Sequence, residues 1–233
     1  MLNQYEKKVS ILVPTNRPFN DYVFKLIDSI RQPNPSYSYE ICVFSNQKIE
    51  GPNIVWYEEI GRQGPIYGFN HMVKYCKGEY VVCATDDQIL YGSIDSIVNF
   101  MENNFNGEND YKVSSLSCGD FGCWTPGFGH VFGEATIEWE QRHPIIRFPI
   151  FHRETIKKLG NVIFNECFFY HAADNWLGFY LGNLGYSYKE CPVIIKPHNQ
   201  QTDFSFIKKD CDIARKLMKE MVNRGIEYNY KIE

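Results

Sequence analysis

Asp86 and Asp87 are adjacent carboxylates that follow a short apolar run, Tyr80-Val81-Val82-Cys83-Ala84. At the end of a buried strand the two charges repel, and a hard divalent cation would offset them. Mg²⁺ takes one or two carboxylates and completes its shell with phosphate oxygens and water. Turn chemistry is the competing explanation, because aspartate side chains hydrogen-bond the backbone of tight turns. The pair alone leaves both open. Two more polar segments follow apolar runs: Pro14-Thr15-Asn16-Arg17 after Val9–Val13, and Ser45-Asn46 after Tyr39–Phe44. No GxGxxG or GxxxxGK[ST] pattern follows the first run, which argues against dinucleotide-binding and P-loop chemistry. The eight cysteines show no CxxC spacing and no accompanying histidine cluster. A zinc site is therefore not expected, and reduced thiols packed as small hydrophobes are.

These segments need a scaffold that brings them together. Val9-Ser10-Ile11-Leu12-Val13 is β-branched and almost wholly apolar, the pattern of a parallel strand buried on both faces. Phe19, Tyr22, Val23, Leu26, Ile27 and Ile30 recur at steps of three and four, which predicts an amphipathic helix. Strands follow at Tyr39–Phe44 and Ile54–Tyr57. A second helix runs through Ile66, Phe69, Val73 and Cys76, with Gly78 expected to close it. Tyr80–Ala84 is the next strand. A third helix runs through Ile94, Ile97, Val98, Met101 and Phe105, with Ser93 as its N-cap. Such alternation predicts an α/β fold with a mostly parallel central sheet flanked by helices. In open sheets of this kind ligands bind outside the carboxyl ends of the strands, where the three polar segments converge.

The second half is less regular. Residues 113–151 are rich in glycine and aromatics, with short strands and long loops expected. A helix through Trp176, Leu177, Tyr180, Leu181 and Leu184 ends at Gly185, and a C-terminal helix spans roughly 206–224. No linker divides the chain, so one domain is expected, with residues 1–105 as its regular half and residues 106–233 as its irregular half with the C-terminal helix.

Composition excludes some classes. Hydrophobic residues at 44% rule out a disordered chain, and a net charge of −4 argues against a nucleic-acid binder with a broad basic face. No run of eighteen apolar residues occurs, and the N-terminal stretch does not resemble a signal peptide. The expectation is a cytoplasmic protein, with any membrane association peripheral. Aromatic residues reach 16%. Trp124 and Trp139 lie in the irregular region, where they could line a concave site for a ring-shaped ligand or pack in the core.

In order and spacing, Val9–Arg17, Gly61-Arg62, Gly68-Phe69-Asn70 and Lys77–Asp87 resemble family 2 glycosyltransferases, which have the nucleotide-sugar fold called GT-A. The Ala84-Thr85-Asp86-Asp87 form of the aspartate motif is most similar to the spore-coat polysaccharide synthesis type. Phe151–Gly160 resembles the segment before the family's catalytic acid. Asp174-Asn175-Trp176-Leu177, with Gly185-Tyr186 eleven residues after the aspartate, resembles the Glu-Asp-Trp…Gly-Tyr element. The resemblance covers residues 9 to about 200.

It implies an inverting hexosyl or related transfer from a nucleoside-diphosphate sugar, of UDP or dTDP type, to a glycan or lipid-linked acceptor in polysaccharide biosynthesis. Asp87 would hold Mn²⁺ or Mg²⁺ against the diphosphate, with His198 as a further ligand. Pro14, Thr15, Arg17, Ser45, Asn46, Arg62, Asn70 and Asp86 would lie on the donor side. Asp174 would be the general base, although an aspartate at that position also suits a helix N-cap.

Some positions depart from the family pattern. Ser45 and Asn46 stand where acidic residues often read the base. Thr85 stands at the first acid of the commoner Asp-x-Asp form. Ala173 replaces a common glutamate, and Tyr180 replaces a common arginine. A catalytically degenerate sugar-nucleotide binder is therefore the alternative. A nucleotidyltransferase ranks last, because Pro14–Pro18 lacks the Gly-rich basic loop of that class.

Overall fold

The computed structural model describes residues 5–16, 21–105, 113–117, 146–169 and 173–198, and in the C-terminal segment Lys209, Asp212, Ile213, Lys216 and Leu217. The buried apolar runs form β1 (Lys7–Pro14), β2 (Tyr39–Ser45), β3 (Ile54–Glu58) and β4 (Gly78–Cys83). Between and after them come α1 (Asp21–Arg31), α2 (Gly64–Val73), β5 (Gln88–Tyr91) and α3 (Ile94–Asn104). The second half contributes β6 (Val113–Ser117), β7 (Pro149–His152), α4 (Arg153–Lys158), α5 (Ala173–Asn183) and β8 (Tyr188–Pro197).

One eight-stranded sheet takes in both halves in the order β3-β2-β1-β4-β7-β6-β8-β5. β1 pairs parallel with β2 and β4, and β2 with β3. β7 then runs antiparallel to β4 and β6, and β5 antiparallel to β8, while β6 and β8 are parallel. The sheet is thus mixed: parallel from β3 to β4 in the first half, with a further parallel pair, β6 and β8, in the second.

Alternation at period two divides the core into two layers. Leu12, Cys42, Phe44, Val81 and Cys83 face α2 and α5. Ile11, Val13, Ile41, Val43, Tyr80 and Val82 face α1 and α3. On α1, Val23, Leu26, Ile27 and Ile30 form the buried stripe. Ser93 caps α3, its Oγ accepting from Ser96 N at 3.0 Å. In the C-terminal segment Ile213 and Leu217 are helical, one turn apart, and pack against the first layer. Lys209, Asp212 and Lys216 are helical as well, and the other residues of the expected 206–224 helix lie outside the described residues, as do Arg17, Trp124 and Trp139.

Gly78 does not close α2. That helix ends at Val73, and Gly78 opens β4. Its lack of a side chain matters there for a different reason. A Cβ would sit 2.3 Å from Ser10 N and 2.6 Å from Ser10 Oγ. Arg153 locks this corner. It is buried, donating from Nη1 to Val73 O (2.8 Å), from Nη2 to Cys76 O (2.9 Å) and from Nε to Gly78 O (3.1 Å). The segment that resembles the run before the catalytic acid therefore has a structural anchor in it.

At the opposite end of the sheet from the strand carboxyl termini, Glu79 lies 3.6 Å from His152 Nε2 and 2.8 Å from Lys8 Nζ. The His152 bond, followed by that from Lys8, holds the Glu79 carboxyl down at about 2, against an ordinary 4.5. A depressed folded-state value contributes stability that is present above about pH 4.5 and lost as pH falls towards 2. Glu79→Gln is expected to lower the melting temperature at pH 7 and to flatten the acid limb between pH 4.5 and 2. Thermal melts across that range check it, and an acid limb as steep as the wild type's would contradict it.

Candidate functional site

The parallel strands β1, β2 and β4 end at the same side of the sheet, and the polar segments meet there. Thr15 N donates to Phe44 O (2.9 Å), and Ala84 N to Leu12 O (3.0 Å), so the loops after β1 and β4 leave the sheet together. Thr15 Oγ1 donates to Asp86 Oδ2 at 2.6 Å, and both residues are buried. Asp87 is half-buried. Its Oδ1 accepts from Thr85 Oγ1 (2.9 Å) and Gln88 Nε2 (3.0 Å). Turn chemistry thus orients Asp87, and the two explanations of the aspartate pair are not exclusive.

His198 reaches the same place from β8. Gln88 is in register with Pro197, so the next residue lies opposite Asp87, and His198 N donates to Asp87 O at 2.7 Å. Among the described residues no cluster of three or more His, Cys, Asp or Glu side chains could hold a metal. The tie to His198 runs through its backbone N, and the ring Nε2 faces Lys25 Nζ at 2.5 Å; the Asp87 carboxylate alone nevertheless fits a hard cation whose remaining ligands are phosphate oxygens and water. The Asp87 carboxylate is only half-buried, which suits that part.

Asp174 arrives through β7. Val82 is in register with Ile150, and β7 runs antiparallel to β4. Residues just before Pro149 therefore lie beyond the carboxyl end of β4, beside the aspartate pair. Ile146 N donates to Asp174 O (3.4 Å), and Arg147 Nε stands 3.9 Å from Asp174 Oδ2. Both side chains of this ion pair are about a quarter exposed, at 26% and 25%, so the carboxylate is open to an incoming hydroxyl. Asp174 lies within the first turn of α5, where the helix dipole favours an anion. Arg147 was not anticipated from the sequence. It lies in the stretch with the weakest periodic signal, and only the β4–β7 register places it.

Other expected donor-side residues divide. Arg62 is exposed on the loop between β3 and α2, and Asn46 is exposed after β2. Ser45 is buried. Its Oγ donates to Gln47 O (2.6 Å) and accepts from Trp56 Nε1 (3.0 Å), so its hydroxyl is engaged within the fold. Asn70 is buried on α2 as well. Its Nδ2 donates to Phe164 O (2.7 Å), and its Oδ1 accepts from Ile163 N (3.0 Å) and Phe164 N (3.1 Å). Asn70 is therefore a clamp on the segment leading to α5. Ala173 packs in the core and Tyr180 stacks on Trp176, so neither departure from the family pattern leaves a hole. Pro14 closes β1 and lies under α2, where a Cβ on Gly68 would come within 2.9 Å of its own Cβ.

Asn70→Ala would leave two backbone N–H groups and a carbonyl unpaired in the interior. The expected cost is about 3 kcal/mol, read as a shifted denaturation midpoint. A cost under about 1 kcal/mol would show that the clamp is dispensable.

No protein-family model and no curated protein matches the sequence. Solved structures do. A mannosyltransferase, PcManGT from Pyrobaculum calidifontis in complex with GDP-Man and Mn²⁺, superposes with a TM-score of 0.55 at 17% identity, over 87% of this chain and 59% of that one. S. aureus TarS (residues 1–349) in complex with UDP-GlcNAc gives a TM-score of 0.61 at 12% identity, over 96% and 68%. The same protein in complex with UDP gives 0.52 at 15%, over 83% and 58%. The chain thus spans roughly six tenths of the length of these structures. At such identities the likeness establishes the fold: an α/β architecture of the GT-A type.

Proposed function

We propose that this chain is an inverting glycosyltransferase that takes a sugar from a nucleoside-diphosphate donor. The carrying observation is convergence at one sheet end: the Thr15–Asp86 bond, Asp87 tethered to His198, and Asp174 beside Arg147. The GT-A fold, and neighbours solved with GDP-Man and Mn²⁺, UDP and UDP-GlcNAc, support the reading.

Asp87 would hold Mn²⁺ or Mg²⁺, joined by His198 where Lys25 releases its Nε2. Such an ion supplies Lewis acidity to the diphosphate oxygens, which gain charge as the glycosidic bond breaks. Asp86, held by Thr15, would meet the ribose, while Asn46 and Arg62 would flank the base. With Ser45 engaged inside the fold, the base is read by Asn46 and not by the serine. Asp174 takes the proton from the acceptor hydroxyl. That oxygen attacks the anomeric carbon from the face opposite the leaving group. The carbon–oxygen bond to the diphosphate breaks, and the nucleoside diphosphate departs with both electrons. One displacement inverts the anomeric centre. A donor of UDP or dTDP type, and a glycan or lipid-linked acceptor, complete the proposal, with Trp124 and Trp139 on the acceptor side.

The test is release of nucleoside diphosphate from UDP-, dTDP- and GDP-sugars with Mn²⁺ and a panel of glycan acceptors, together with the anomeric configuration of the product. Inverted product supports the reading. Retained configuration would overturn the mechanism, and tight binding without transfer or donor hydrolysis would favour the degenerate binder.

A further inference from the structure

Lys25 of α1 sits at this site, and nothing in the mechanism so far uses it. Its Nζ lies 2.5 Å from His198 Nε2. An ammonium has donors and no acceptor, so Lys25 must be donating to the lone pair of the ring nitrogen. The ring also meets Tyr22 of the same helix, edge to face at 5.9 Å between centroids. Through the His198 N to Asp87 O bond of 2.7 Å, the ammonium is held one histidine's breadth from the aspartate pair.

Lys8, Lys48, Lys77 and Lys157 each pair with a glutamate, whereas Lys189 donates to Asn104 Oδ1 at 2.7 Å. Lys25 is exposed and, among the described residues, has a ring nitrogen as its partner and no carboxylate. One N–H goes to the ring, and two remain with the whole positive charge. A cation held in place without a counter-ion, at the carboxyl ends of the strands, is suited to an anion that arrives from solution. A Lys–His contact through Nε2 also competes with any metal ion at that nitrogen, because one lone pair serves one partner.

We propose that Lys25 is a diphosphate-binding residue, donating to the phosphate oxygens of the nucleoside-diphosphate donor and supplying affinity that does not depend on a divalent ion. This rests on the donor-site reading above. His198 is then the positioning residue that aims the ammonium.

The test is calorimetric titration in EDTA of UDP, UMP, GDP and GMP into the wild-type chain, Lys25→Met and Lys25→Arg. In the wild type, one diphosphate should bind more tightly than its monophosphate. Lys25→Met should weaken that diphosphate about tenfold, the scale of one charge-assisted contact, and leave the monophosphate unchanged. Lys25→Arg should restore most of the loss. Unchanged diphosphate affinity in Lys25→Met, or a wild type that does not prefer diphosphate in EDTA, would overturn the proposal while leaving a metal-only donor site standing. Failure of all four nucleotides with Mn²⁺ added would overturn the donor-site reading and this proposal with it.

Discussion

Asp174→Asn is expected to lower turnover by about a thousandfold while leaving donor affinity intact, the scale of a lost general base. An alcohol is a poor nucleophile at neutral pH, and an amide cannot accept its proton. The side chain is partly exposed, and Arg147, 3.9 Å away, is also reached by water, so the substitution leaves that guanidinium solvated. Folding should therefore be unaffected, which separates this variant from Asn70→Ala. The check is kcat alongside a calorimetric Kd for the donor nucleotide. A kcat within tenfold of the wild type would remove Asp174 from the chemistry and return it to the helix-terminus role that its sequence position also permits.

Asp87→Asn should act on binding instead. The Oδ1 acceptor that takes the bonds from Thr85 and Gln88 is retained in asparagine, so the turn should persist. The negative charge that would hold the cation is lost. The expected result is a rise of at least about tenfold in the nucleoside-diphosphate Kd in Mn²⁺, about 1.4 kcal/mol, with the Kd in EDTA unchanged. Equal weakening in EDTA would mean that Asp87 serves the turn and not a metal. Together with Lys25→Met, this variant separates the metal-dependent part of the affinity from the metal-independent part.

Much of this arrangement could be read from residue types. The β-branched runs of β1, β2 and β4 have both faces buried and so lack polar alternation, and the aspartate pair stands where β4 must end. Ser93 before the apolar stripe of α3 announced its cap. Other features had no local signal. β8 carries Lys189, Glu190 and Pro192 within its length and alternates between buried and exposed positions, so no single run marks it. β5 has four residues directly after the aspartates and is defined only by pairing with β8. Gly78 looks like a helix terminator, and its true constraint, the close approach of Ser10, is a contact across strands.

The site shows the same division. Asp86, Asp87 and Asp174 stand out by type and spacing. Arg147 is an ordinary cation until the β4–β7 register places it, and Lys25 of α1 is one until the β5–β8 register brings His198 to it. Ser45 and Asn70 illustrate the reverse error: polar residues at promising positions whose hydrogen bonds turn inward to the fold.

The most direct test of the central claim, a metal-assisted nucleoside-diphosphate site at this sheet edge, is calorimetric titration of UDP, GDP, CDP, dTDP and ADP with and without Mn²⁺. The account predicts that a uridine or thymidine diphosphate binds in preference to the others and that Mn²⁺ tightens it. Absence of binding for all five in Mn²⁺, or binding that Mn²⁺ does not change, would contradict it.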